Sequence, residues 1–266
     1  MSVVLKTKRE MQKIWEASQV LVDIFEQIPA YIVPGRSTQD LADFAEKIIL
    51  AHGAIPTCKG YGDPPFPGAI CVSVNDEVVH GIPHPEHFIK EGDLVTLDMV
   101  ATLDGYCADA ARTYAVGEIT AADRQLMEAA EEGFFAGIKE VQVGKRLGDL
   151  GHAVQKVAEK YGYGVVQELC GHGIGQEMHE DPNVLNYGKA GHGLRFEPGM
   201  VLCCEPMFTA GKRYIEVMDD DWTIVTADGR KSSHYENTFA LTDQGVFIFT
   251  LTPAERAKYG VPIWKI

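Results

Sequence analysis

Apolar residues recur at helical spacing from residue 8 to residue 28, at Met11, Ile14, Trp15, Leu21, Val22 and Phe25, and Pro29 follows them, which predicts a helix over 8–28. The stretch 32–54 then reads as a turn, a cap at Ser37 or Thr38 and a second helix ending near Gly53. Beyond it the period shortens to two. Residues 92–112 (GDLVTLDMVATLDGYCADAAR) read as strands on both sides of Asp104-Gly105, a pair that tolerates positive φ at both centres of a type I′ turn. That turn sets Leu103 opposite Tyr106, Thr102 opposite Cys107, Ala101 opposite Ala108 and Val100 opposite Asp109. Strand alternation puts Asp98 on the face of Val100, so Asp98 and Asp109 are diagonal neighbours, with Cβ atoms roughly 7–8 Å apart or less.

Two carboxylates on an otherwise apolar ribbon are costly to bury without a cation. At that separation they can reach inward to two metal ions roughly 3.5–4 Å apart. The same pattern also suits a sheet edge with both aspartates in water.

The helical grammar returns in the second half. Gly144, Asp149, Leu150, Lys156 and Gly162 each stand 109 positions after Gly35, Asp40, Leu41, Lys47 and Gly53, and a helical stretch, 121–140 against 8–28, precedes each copy. With one inserted residue, the run 91–98 aligns with 197–205 and pairs Asp98 with Glu205. The chain therefore reads as duplicated helix-helix-strand-hairpin halves, about 8–120 and 121–250, with acidic residues at equivalent strand positions.

Further candidates lie outside the repeat. A Pro/Gly-rich loop holding Tyr61 and Phe66 suits a pocket wall, and residues 70–82 read as a strand, a turn and a short strand ending in His80, next to Gly81. In LCGHGIGQEMHEDP (169–182), glycines surround His172, a run that permits strained backbone or close ligand approach, and His179 follows seven residues later. No strand-GxGxxG-helix order accompanies it, so a nucleotide site is not indicated. Glu205 ends the apolar strand MVLCCE, where Pro206 stops the ladder, and Glu236 lies in the strand-like HYENTFAL. Asp98, Asp109, His172, Glu205 and Glu236 together offer four carboxylates and one imidazole, enough to neutralise two divalent ions through shared oxygen ligands.

Composition narrows the setting. The chain has 266 residues, 45% hydrophobic and 23% charged, with a net charge of −14 that argues against a nucleic-acid backbone as partner. No run of about 18 apolar residues and no signal-peptide core is present, so a cytoplasmic protein with no membrane association is expected. The six cysteines show no CxxC pair and read as free thiols, mostly small core residues.

With these motifs in hand, the chain resembles the type I methionine aminopeptidases, M24-like members of the pita-bread family of dinuclear metallopeptidases. The motifs that carry the resemblance are VVHGIPH (78–84), LDMVATLDGYCADAARTY (97–114), GHGIGQEMHEDPNV (171–184), CCEPM (203–207) and DDDWTIVTADGRKSSHYENT (219–238). It implies an α+β pita-bread fold, pseudo-two-fold around a curved antiparallel sheet, as one catalytic domain over 1–266. It implies that Asp98 holds one metal, that His172 and Glu205 hold the other, and that Asp109 and Glu236 bridge the pair. Co, Mn, Fe and Zn all remain open.

The resemblance also implies that His80 and His179 contact substrate, that Cys71, Tyr61, Phe66 and Trp222 build a methionine side-chain pocket, and that a monovalent cation sits near Asn75 and Ser232. Glu205 is then the first choice of general base. Partners would be the N-termini of nascent polypeptides and peptides, with ribosome association open and a monomer expected. Three departures bear on pocket shape: the loop 62–67 (GDPPFP) is longer than usual, Met178 stands where an aromatic is common, and His234 replaces a frequent glutamine. The alternatives are a proline-specific peptidase of the same fold, usually with an extra N-terminal domain that is not expected here, or a non-enzymatic relative, which typically lacks metal ligands.

Overall fold

The computed structural model describes residues 3–264. Helix α1 (Lys8–Gln27) starts at Thr7, whose hydroxyl accepts the Glu10 N–H while the Glu10 carboxylate accepts the Thr7 N–H. This reciprocal cap satisfies two of the amides that a helix start leaves free. Ser37 and Asp40 repeat it at α2 (Thr38–Ala51), so Ser37 is the cap. Strands β1 (Ile55–Pro56), β2 (Cys71–Val74) and β3 (Glu77–Val79) follow, then the hairpin of β4 (Leu94–Leu103) and β5 (Tyr106–Ala115). The hairpin register runs as the turn predicts, from Leu103 against Tyr106 to Val100 against Asp109, with Asp104 and Gly105 both at positive φ.

The second half opens with α3 (Ala121–Lys139) and α4 (Leu147–Tyr161). After them come the short strands β6 (Gly164–Val165), β7 (Gly171–Gly173), β8 (Glu180–Val184), β9 (Val201–Cys204) and β10 (Met207–Thr209). The chain closes with β11 (Ile215–Val217), β12 (Ile224–Thr226), β13 (Ser232–His234), β14 (Asn237–Thr242), β15 (Gly245–Ile248) and the helix α5 (Pro253–Tyr259).

Two antiparallel sheets carry the architecture, an α+β fold. In the first, β1 and β2 lie end to end along one edge of β4, and β5 takes the other edge. In the second, the order is β15-β14-β9-β7-β8. Alternation along β4 decides what faces where: Leu97, Met99 and Ala101 join Leu21, Ile24 and Leu41 of α1 and α2 in one core, while Val100 joins a different one. Phe134, Leu150, Val154 and Phe239 form the matching core under α3 and α4. A third cluster, with Ile14, Val100, Cys203 and Phe249, is shared by the two halves. Leu21 is fully buried, and trimming such a side chain to alanine costs about 2–5 kcal/mol.

The halves join at one seam. Ala111 and Glu236 exchange backbone hydrogen bonds (N···O 3.4 and 3.0 Å), and the Thr238 hydroxyl accepts the Asp109 N–H (3.0 Å) and donates to the Asp109 carbonyl (2.8 Å). Pro206 ends the β9 ladder at Cys204, and the chain passes directly into β10, which belongs to another sheet. Among the described residues no helix is long and apolar enough to cross a membrane.

Candidate metal centre and substrate pocket

Each acidic residue reaches the centre from a strand or strand end. On the first hairpin Asp98 pairs with Ala111 and Asp109 with Val100, which leaves the two carboxylates diagonal to one another. On the second sheet the last rung joins Cys204 to Asn237, so Glu205 and Glu236 are the next residues beyond it, on adjacent strand ends. The Thr238 hydroxyl and the Ala111–Glu236 pair hold the two acidic sets against each other across the seam. His172 comes in from β7. All five residues, with His80 and His179, line one cavity of about 660 Å³.

The geometry calls for a cation. The His172 ring hydrogen-bonds through Nδ1 to the Gly173 carbonyl (2.8 Å), so Nδ1 carries the proton and Nε2 presents its lone pair. That lone pair faces two carboxylate oxygens, Asp109 Oδ2 at 3.6 Å and Glu205 Oε1 at 3.7 Å. Asp109 Oδ1 and Glu236 Oε1 are buried with no protein partner. Buried acceptors aimed at one another are destabilising unless a positive charge sits among them, and no lysine or arginine lines this cavity among the described residues. Burial first, then mutual repulsion, pushes Asp98, Glu205 and Glu236 well above the usual carboxylate range. Hard oxygen donors with one imidazole fit a divalent ion, and the cluster binds divalent metal.

Cys203 was expected only as a core residue, yet its sulfur joins Asp109, His172 and Glu236 in a group whose ligand atoms lie within 4.8 Å of one another. Burial and the neighbouring Glu236 and Asp109 carboxylates push its thiol far up. A metal ligand would have to be thiolate, whereas this thiol lies 3.5 Å from the Thr238 hydroxyl and is held far above its ordinary value.

Beside the metal cavity lies a narrow pocket of about 90 Å³. Tyr61, Phe66, Cys71 and Trp222 all line it, together with Cys58 and Met178. His80, Asp98, Asp109 and His179 line both cavities, so the pocket opens at the carboxylates. The long 62–67 loop folds back under Trp222, whose indole N–H donates to the Pro64 carbonyl (3.0 Å), and Phe66 packs edge-on against the indole with centroids 5.3 Å apart. Cys58 and Cys71 both line the pocket, and the neighbouring Cys58 thiol, then burial, raises the Cys71 thiol.

The histidines are held differently. His80 lies just past β3 at φ +59°, a conformation rare for residues with a side chain. A Cβ on Gly81 would strike the Val72 carbonyl, so that glycine lets β2 pack closely against the backbone beside His80. Glycines 171 and 173 are likewise pressed against the Cys203 and Asp181 carbonyls, and their role is strand-to-strand approach. His179 Nδ1 lies 2.9 Å from the Tyr61 hydroxyl, and its ring is perpendicular to that of His172 with centroids 4.4 Å apart. Burial, then the neighbouring imidazole, lowers both His80 and His179 below the ordinary histidine range.

At the edge of the site, Ser232 Oγ lies 3.2 Å from both the Asn75 and Glu77 carbonyl oxygens, with Asn75 at φ +58°. Burial of His234 and the nearby His80 depress its imidazole to about 3. Thr238 and Arg112 hold Asp109 and Glu236 through backbone contacts that no local motif announces.

Known proteins agree with this construction. The profile of metallopeptidase family M24 matches residues 12–243. Methionine aminopeptidase 1 of Bacillus subtilis (strain 168) is 44% identical over 248 residues, covering 93% of this chain and 99% of its own. The crystal structure of methionine aminopeptidase from Rickettsia prowazekii superimposes with a TM-score of 0.91 at 36% identity, over 94% of this chain and 100% of that one. The prolidase from Pyrococcus furiosus shares the fold alone, with a TM-score of 0.75 at 22% identity over 94% of this chain and 66% of that one. Identity at this level over nearly the whole length, on the same fold, places the chain in metallopeptidase family M24, among the methionine aminopeptidases.

Proposed function

We propose that this chain is a metal-dependent aminopeptidase that removes the N-terminal methionine from polypeptides whose second residue is small. One observation carries the reading: a narrow pocket with an apolar wall opens directly onto a buried carboxylate–imidazole cluster, and His80, Asp98, Asp109 and His179 line both. Asp98 would hold one divalent ion and His172 with Glu205 a second, with Asp109 and Glu236 available as ligands to both. Bound there, such ions supply an acidified water as nucleophile and polarise the scissile carbonyl.

The chain's own groups do the rest. Phe66, Cys71, Met178 and Trp222 take an unbranched thioether side chain, and a pocket of this kind discriminates by about 1–3 kcal/mol per methylene-sized change. Tyr61 donates its hydroxyl proton to His179 Nδ1, which leaves the His179 proton on Nε2 to donate to the substrate carbonyl oxygen as charge develops. The Glu205 carboxylate accepts the proton of the attacking water. His80 lies beside the residue that follows the scissile bond.

A monovalent cation would sit near Asn75 and Ser232, where Ser232 Oγ now donates to the Asn75 and Glu77 carbonyls. The whole of 1–266 acts as one catalytic domain, a cytoplasmic monomer working on nascent chains, at the ribosome or after release.

Purified protein with added Mn²⁺ or Co²⁺ should cleave Met-Ala-Ser, cleave Leu-Ala-Ser more slowly, and leave Ala-Pro-Ala intact. Preference for Ala-Pro-Ala would turn the reading to a proline-specific peptidase. Metal-replete protein inert toward all three would mark a non-enzymatic relative.

A further inference from the structure

His234 is the one histidine bordering the centre that the proposed mechanism does not use. It is 1% exposed, and neither ring nitrogen has a hydrogen-bond partner among the described residues. A buried imidazole always carries at least one N–H, and leaving that donor unpaired is costly. Its backbone is pinned twice: the amide donates to Thr113 Oγ1 (3.0 Å), and the same hydroxyl donates to its carbonyl (2.9 Å). Glu236 stands two residues on, which on extended backbone places both side chains on one face. His234 Nε2 lies 3.8 Å from Glu236 Oε2, and its nearest approach to a carboxylate is this one. A side-chain movement of about 0.6 Å brings the pair within hydrogen-bond distance.

We infer that His234 is a positioning residue for the metal centre, its Nε2–H donating to Glu236 Oε2 and fixing the orientation of that carboxylate. The inference rests on the reading that Glu236 holds metal. Each carboxylate oxygen has two lone pairs, so Oε2 can accept from His234 and still face an ion. Glu236 Oε1 has no protein partner and is free to turn into the cavity. Ligating carboxylates are ordinarily hydrogen-bonded from behind, and those outer partners set affinity as well as orientation. The Cys203 thiol also lies beside this carboxylate, and a thiol is a weak donor.

The test is metal affinity of the apoprotein, read by calorimetry with Mn²⁺ and by visible absorption with Co²⁺. His234→Gln places an amide N–H where the imidazole Nε2–H stood, whereas His234→Asn places one only as far out as Nδ1. His234→Leu and His234→Asn should weaken binding about 10- to 100-fold, the usual effect of losing such a partner, while His234→Gln stays within about threefold of wild type. Unchanged affinity in His234→Leu overturns the inference. Equal losses in His234→Gln and His234→Asn overturn it too, and a change in the Co²⁺ spectrum showing a lost nitrogen ligand would make His234 a direct ligand instead. If His234→Leu does not fold by circular dichroism, the glutamine–asparagine comparison decides alone. Glu236→Gln serves as control: unchanged affinity there would bring down the underlying reading of the centre, not the role of His234.

Discussion

Replacing Arg112 by methionine keeps most of the apolar stem and removes a guanidinium on which both sheets depend. Arg112 is 5% exposed and forks onto Glu255, with Nε to Oε1 at 2.7 Å and Nη2 to Oε2 at 3.2 Å. It also donates to the Ala111, Glu236 and Thr250 carbonyls and to Asn237 Oδ1, and it stacks on Tyr235 at 4.2 Å. Removing one partner of a buried pair costs about 3–5 kcal/mol, because the other charge is left uncompensated. For a chain of this size about 2 °C of Tm is lost per kcal/mol, so Arg112→Met should melt about 6–10 °C below wild type. The melt belongs in chelator, so that metal linkage does not enter.

Arg112→Met/Glu255→Gln should recover part of the loss, with a coupling of about 0.5–3 kcal/mol, because the stranded carboxylate is gone. Burial alone would raise Glu255, but Arg112 together with the Thr252 hydrogen bonds outweighs it and holds the carboxyl below its ordinary value of 4.5. With the folded value depressed, the pair's contribution is present above the ordinary value and is lost as pH falls through the folded one. The gap between wild type and the double variant should therefore narrow in acid. A Tm loss under 2 °C in Arg112→Met, or strictly additive single variants, would refute the reasoning.

Burial, with Asp76 and Asp220 nearby, pushes Glu77 up to about 7 from 4.5, so its penalty is absent below the ordinary value and grows as pH rises toward 7; Glu77→Gln should gain about 2–3 kcal/mol over wild type at pH 8 and almost nothing at pH 4, and a gain equal at both would sink the assignment. Thr238→Val removes the hydroxyl that serves both the amide and the carbonyl of Asp109 and should cost about 1–3 kcal/mol in urea melts while weakening metal binding; unchanged metal affinity would show that the seam does not position Asp109. His179→Ala should lower kcat by about 10²–10³ with metal content unchanged in elemental analysis, and loss of metal in that variant would make His179 a ligand.

Much of this protein was legible along the chain. Thr7 with Glu10 and Ser37 with Asp40 start helices through contacts three residues apart, and Asp104-Gly105 sets a ten-rung register through two dihedral preferences. The diagonal placement of Asp98 and Asp109 followed from that turn and strand alternation, and the repeat pointed to Glu205. All three are short-range consequences of residue type, so sequence alone carries them. What only the tertiary structure decided lies in long-range packing. The Arg112–Glu255 fork spans 143 residues, and the Thr238 clamp on Asp109 spans 129, so neither leaves a periodic trace. The glycines around His172 read as strained backbone or an opening for a ligand; only the folded sheets show that Gly171 and Gly173 make room for neighbouring carbonyls. Cys203 read as a core residue and His234 as a departure bearing on pocket shape, until folding buries one beside Glu236 and strips the other of every partner. The cost of burying a polar group is set by whatever surrounds it after collapse, and the chain alone cannot name those neighbours.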